Sequence, residues 1–470
     1  PASTYFVVGE AERGPTDAPQ IVRSMTEFSK YFGGFTTTGV LYQQLQTFFE
    51  EGGTQAQVLR VVNSTATAGT FTVTGRSSSG AALTATAANK GTWASKLRLE
   101  LEDGVSSGTY RVTVNYDGAV VYKSGDLASN TAAAAALNAN VPHLMVAAAG
   151  ANASFPANTA GTPVAFVAGT ENLASITDAN VAAALSLFGE ELGAGAVACP
   201  SRNGSTIWTA LRDHAVATRR IALCAFGSSD TVDAAKTAAA NYTGSTDGEK
   251  VKASYMAFYW PWVKVPDGAG STRTISPESF VAAARAKAHE TAGPWRPGAG
   301  LLSSSAFVSG LASSVTKTIA DGLDTGRINP LRVIDGTVRV YGARSVSADE
   351  TNWRFITYRD TLNYLTVRSE QALEKYVFSV IDGRKSIFAK VASELVSIVE
   401  DIRSRGGAFE LVAANGQLLD RGYTVEVSDA INPTADLAAG ILRARVGIRV
   451  SSVADTVTVT ITKSALTTAV

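Results

Sequence analysis

The sequence predicts an α/β protein, α+β overall, built from an α/β core, an inserted β-rich domain and a C-terminal α/β domain. Three observations predict it. Between 164 and 291, short β-branched and aromatic runs alternate with helix-length segments, the pattern of βαβ units and a mostly parallel sheet. From Asn63 to about Pro163, Ala, Thr, Ser and Gly dominate, only eleven residues are charged, and the clear segments alternate with period two. After about 320 come the two longest helical patterns, followed by four strand-like runs. With 470 residues, 45% of them apolar, the chain has length for about three domains and material for several cores.

In chain order, STYFVVG is a short apolar run ending in Gly9 and reads as a buried strand. Ser24 is an expected N-cap with Glu27 three residues on, the spacing of a capping box. A second helix over about 39–51 carries Leu41, Leu45, Phe48 and Phe49 on one face and stops at Gly52-Gly53 before the strand QAQVLRVV. The opening is thus β-α-α-β. In the insert, GTYRVTVNYDGAVVYKSG places Asp117-Gly118 between two alternating runs, a strong hairpin signal, and 129–138 is helical.

The α/β pattern is expected to resume at the strand PVAFVAG. Strands follow at GAGAVACP, RIALCAFG and KASYMAFYWPWVKV, with helices at 177–191, 201–219 and 231–244, and a further helix beginning near Pro277. LRVIDGTVRVYG reads as strands around Gly336. In the second long helix Ile387, Val391, Leu395, Ile398, Val399 and Ile402 share a face, and Lys390, Glu394 and Asp401 form a charged strip on its flank. ELVAA, YTVEVSDA, RARVGIRV and DTVTVTITK close the chain as strands, the last with Val457, Val459 and Ile461 in strict alternation. Such a strand either completes its own sheet or pairs with another chain. The expected divisions are 1–62 and 166–325 for the core, 63–165 for the insert and 326–470 for the C-terminal domain.

Chemistry is thinly supplied. Lys plus Arg and Asp plus Glu both number 41, so the basic excess of nucleic-acid binders is missing and neutrality favours self-association. Cys199 and Cys224 sit in apolar contexts and read as buried thiols; with three histidines and no CxxC spacing, neither a metal site nor a cofactor is expected. No apolar run reaches the roughly 18 residues of a membrane span. P-loop and HExxH motifs are missing from the sequence. The GxSxG match at Gly104–Gly108 lies between strand-like runs, where a nucleophile elbow needs a strand and then a helix. Asp213 and His214, with Ser201 and Ser205 upstream, imitate a triad, but neighbours on a helix point about 100° apart, so Asp213 does not orient His214. His289 lies near a helix C-terminus, which favours a cation. No catalytic residue is expected.

The order of these segments resembles the contractile-tail sheath proteins of bacteriophages. Phe28, Phe32, Gly33 and Gly34, then Gly52, Gly53, Arg60 and Val61, match the family's opening. Trp93 and Leu97 carry the insert motif, and Tyr259, Pro261, Trp262, Pro266, Pro277, Gly293, Trp295 and Pro297 the most specific block. Asn329, Pro330, Arg332, Gly342, Ala343, Arg344, Trp353 and Arg359 extend the match. The resemblance implies a subtilisin-like core without a triad, an outward-facing insert and a structural role. Subunits would stack as six-fold rings in a helical array around a tail tube, assembled in the host bacterial cytoplasm. Contraction, triggered from the baseplate, would drive the tube through the target envelope for genome ejection from a virion. Implied partners are copies of the chain, the tube, the baseplate and the tail terminator.

By the same resemblance the terminal strand with Val457, Val459 and Ile461 pairs between subunits, and Lys390, Glu394 and Asp401 are candidate tube-facing charges. For those three the alternative is a solvated helix face with an internal Lys390–Glu394 pair. Sheaths of phage-tail-like bacteriocins and injection systems share the pattern. A hydrolase or carbohydrate-binding module with a β insert is the rival class, and it predicts a cleft with convergent polar groups. Residues 330–470 carry 17 basic and 16 acidic residues against six and five in 63–165, so charge is concentrated where the family makes its contacts.

Overall fold

The computed structural model describes residues 3–36, 39–267 and 270–455. Eight strands form the central sheet, in the spatial order Thr337–Val340, Ile328–Ile334, Met256–Trp260, Ile221–Ala225, Ala196–Ala198, Tyr5–Gly9, Ala56–Arg60, Gln20–Val22. The inner pairings are all parallel, and each edge strand is antiparallel to its neighbour. Both faces are covered by helices, so side chains of both parities are buried. Tyr5, Val7, Val58, Ala196, Leu223 and Tyr259 face one core with Phe28, Leu45, Phe48 and Phe280. Phe6, Val8, Leu59, Val197, Cys224 and Phe258 face the other with Val181, Ile207, Leu211 and Ala235. That two-sided burial is why these strands read as unbroken apolar runs.

Local signals are mostly obeyed. Ser24 accepts from Glu27 N at 3.2 Å, but Glu27 reaches back to Arg23 N at 2.8 Å, one residue before the position a capping box uses. Helix Leu41–Glu50 ends at Gly52, whose φ of 96° favours glycine. Asp117 and Gly118, at φ 50° and 83°, turn the predicted hairpin between Tyr110–Tyr116 and Ala119–Lys123. GVSSG is a strand-to-strand loop whose Val105 and Ser106 amides donate to Asp126.

The insert is two small antiparallel sheets and the helix Asn130–Asn140 around their own core, including Phe71, Leu83, Trp93, Leu99, Val112 and Leu137. One expectation is corrected here. PVAFVAG does not resume the α/β sheet: Val164 and Ala165 pair antiparallel with Leu99 and Arg98, and Val167 and Thr170 bridge to Thr70 and Thr67. Phe166 enters the insert core while Val164 and Val167 stay exposed, which is the half-buried alternation of an insert strand. A short apolar run fixes strand character, not the sheet it joins.

After the central sheet is completed by the hairpin at Asp335–Gly336, helices Ile356–Leu373 and Ser386–Ser404 pack together. Ile387, Val391, Leu395, Val399 and Ile402 are buried as the pattern requires, against Val425, Val446 and Leu442 of the last segment. Two two-stranded sheets follow, Leu411–Val412 with Leu418–Asp420 and Tyr423–Glu426 with Arg445–Ile448.

Candidate assembly surfaces

In a doubly wound sheet the crevice for a ligand opens where the chain reverses its progress across the sheet, here between the C-terminal ends of Tyr5–Gly9 and Ala196–Ala198. The chain fills it with its own side chains. Arg202 pairs with Glu10 and, at 3.4 Å, with Asp178. Ser201, at φ 64°, sits where a nucleophile elbow would, but its amide donates to Ser276 Oγ at 2.8 Å, and Gln44 Nε2 donates to Ser276 O at 3.0 Å. Glu278 is buried beside this cluster, and desolvation pushes its carboxyl up to about 7.

The imitation triad separates in space. Arg212 pairs with Asp213 at 2.8 Å, while Arg220 Nη1 lies 3.0 Å from His214 Nε2. Arg220 is fully buried, donates to the carbonyls of Phe188, Gly189 and Gly193, and stacks 3.7 Å over Phe6. Burial, then the Arg220 charge, lowers the His214 pKa to about 4, so His214 stays neutral and serves structure. His143 is likewise pushed down to about 4 by burial with Arg13 and Lys30 nearby. Burial raises both free thiols, Cys199 and Cys224. Among the described residues no group of three metal-ligating side chains forms, and no helix is long and apolar enough to cross a membrane.

Two buried arginines tie the parts together: Arg60, named above only as a motif residue, and Arg285, which the sequence did not single out. Arg60, at the end of its strand, donates to Ala11 O at 2.9 Å, Lys90 O at 2.6 Å and Glu12 O at 3.2 Å, and pairs with Glu171 at 2.9 Å. It thereby joins the first strand's loop to both chain crossings into the insert. Arg13 adds a stack 4.9 Å from the Tyr116 ring, and Lys96 pairs with Glu12 at 2.5 Å. Arg285, on helix Glu278–Thr291, grips Asp360 on Ile356–Leu373 through two nitrogens, with His289 Nε2 3.4 Å from the same carboxylate. His289 is therefore part of a buried ion cluster as well as near a helix end. The partners lie 75 residues apart in sequence, so no local pattern announces them.

Lys390 and Asp401 are exposed on Ser386–Ser404; Glu394 is half-buried. The internal Lys390–Glu394 pair does not form: Glu394 is taken by Lys375 at 2.8 Å from the preceding helix's end, and Asp401 faces Arg405 at 3.7 Å. Lys390 instead lines a depression of about 620 Å³ with Tyr376, Val380 and Ile387, beside the exposed Val377 and Phe378. Val457, Val459 and Ile461 lie outside the described residues.

Sheet edges differ in availability. The outer edge of Thr337–Val340 is covered, since Ser305 N donates to Val338 O, and Val338 N and Val340 N donate to Ser305 Oγ and Ser303 Oγ. The small terminal hairpin leaves Phe409, Leu411, Val412, Leu418 and Leu419 exposed, the last at 66%. Two strands alone are marginal in water, and exposed apolar strand residues invite a further strand.

No protein-family model and no curated protein matches the chain. Solved structures do. A sheath tail protein from Listeria innocua superposes with a TM-score of 0.65 at 12% identity, covering 91% of this chain and 89% of its own. A sheath tail protein from Desulfitobacterium hafniense gives 0.56 at 12% identity, covering 91% and 90%. The PVC sheath complex of an extracellular contractile injection system, in its contracted state, gives 0.57 at 15% identity, covering 99% and 92%. The chain thus has the fold of the contractile sheath proteins.

Proposed function

We propose that this chain is the non-enzymatic structural subunit of a contractile sheath, polymerising as stacked six-fold rings around a tail tube and shortening to drive that tube through a target envelope. The observation that carries the reading is the superposition of nearly the whole chain, insert and terminal domain included, on sheath proteins. Its core is read as subtilisin-like without a triad; the parallel sheet and the self-filled crevice support this. Partners on this reading are copies of the chain, the tube, the baseplate and the tail terminator, in a virion tail assembled in the bacterial cytoplasm.

The strand carrying Val457, Val459 and Ile461 is proposed to add to a terminal hairpin of an adjacent copy, whose apolar residues are exposed. Lys390, Glu394 and Asp401 are proposed to face the tube, with Lys390, which has no ion-pair partner among the described residues, the strongest contributor. A second reading, the sheath of an extracellular injection system, is favoured by the 99% coverage in the match to the PVC sheath. Electron microscopy of the purified chain tests the shared claim: sleeves or helical tubes support it, and a persistent monomer rejects it.

A further inference from the structure

The last described residues form a strap. Ser451 N donates to Gly407 O at 3.0 Å and Val450 bridges to Ala408, so the strap leaves the terminal domain there. It then crosses to the start of helix Ile356–Leu373, where the Ser452 and Tyr358 hydroxyls lie 3.1 Å apart and Arg354 Nη2 meets Asp455 at 2.7 Å. Residues 456–470 follow in sequence. Arg354 has a second carboxylate on its other nitrogen: Nη1 lies 3.7 Å from Glu350. Glu350 is fixed independently by Arg344 at 2.9 Å and Arg327 at 3.1 Å, and Arg344 is tied to Asp324. The Arg354 backbone is pinned too, its carbonyl accepting from Ser345 N at 2.9 Å. A fixed cation thus stands between a fixed carboxylate, held loosely, and a carboxylate on the strap, held closely.

We propose that Arg354 is a release point for the strap: it holds Asp455 in one state and closes onto Glu350 in the other, so the strap detaches without leaving Arg354 unpaired and its Asp455 carboxylate passes to solvent. The groups are about one-third exposed, which keeps the hold weak and sensitive to salt. This rests on the reading that the segment after the strap pairs with a neighbouring copy, because release of residues 451–455 then lets the chain reach that copy.

The test is a double-mutant cycle on the full chain, read by hydrogen exchange at residues 451–455. R354A and D455N should each raise exchange there by about two- to five-fold, and the double variant should exceed neither. Exchange in helix Ser386–Ser404 should not change, which separates a released strap from a misfolded chain. Raising salt from about 0.01 to 1 M should give the same rise in wild type and little in R354A. Additive effects, or no effect of R354A, overturn the release point. Sleeve formation by the wild type, scored in parallel, separates the two claims. Sleeves with an additive cycle reject only the strap; a non-additive cycle without sleeves rejects only the sheath.

Discussion

Replacing Asp360 by Asn removes the negative charge of the buried cluster while keeping its shape. Asp360 is 3% exposed and Arg285 is 6% exposed, so the substitution leaves a guanidinium buried without its carboxylate. Breaking a buried pair from one side costs about 3–5 kcal/mol. That is roughly a 10²- to 10⁴-fold rise in local opening. Because Arg285 and Asp360 sit on Glu278–Thr291 and Ile356–Leu373, the rise should appear as faster hydrogen exchange in those two helices, measured below the global transition. The double change Arg285→Met with Asp360→Leu removes both charges and should recover most of the loss. The pH dependence has a defined sign. Burial alone would push the Asp360 carboxyl up, but Arg285 and His289 outweigh it and hold it below its ordinary value. Its contribution is therefore present above the unfolded pKa near 4 and is lost as pH falls below that. Unchanged exchange in Asp360→Asn, or a double variant as open as the single, would refute the cluster as the tie between these helices.

Arg60→Met removes the ion partner of Glu171 and a donor from the Ala11, Glu12 and Lys90 carbonyls, and should speed proteolysis at 61–67 and 168–172 with a loss of about 3 kcal/mol, while the insert's own core stays protected. Glu51→Ala removes the acceptor of the Ala306, Phe307 and Val308 amides and should cost about 2–3 kcal/mol, read as lost exchange protection at 306–308. Glu278 keeps its proton to about 7 while an unfolded chain releases it near 4.3, so stability should fall as pH rises between those values, by up to about 1.4 kcal/mol per unit. Glu278→Gln should flatten that slope in denaturant titrations. Neutralising Lys390 should weaken salt-sensitive binding to the tube protein more than neutralising Glu394, whose charge Lys375 already meets.

Much of the fold was legible because it is local. Phe6 and Val7 could be read as a doubly buried strand, and Asp117-Gly118 as a turn, since each signal lies within a few residues. The same locality misled at PVAFVAG, where Phe166 is apolar enough for either sheet and distant partners, Leu99 and Arg98 with Thr67 and Thr70, decide. The Lys390–Glu394 spacing was correct for a pair on one helix, yet Lys375 from the neighbouring helix took the carboxylate. Arg60 and Asp360 show the wider limit: their partners come from segments far apart in sequence. At Asp213–His214 the geometry of a helix was sufficient to reject a triad, and the residue that fixes His214 instead, Arg220, lay only six positions on.

Polymerisation into a sheath is decided by electron microscopy of the purified full chain beside a variant truncated after Asp455. The full chain should form six-fold sleeves or tubes, and the variant compact particles with an unchanged melting profile. A full chain that stays monomeric at high concentration would contradict polymerisation, and sleeves from the truncated variant would remove Val457, Val459 and Ile461 from the interface.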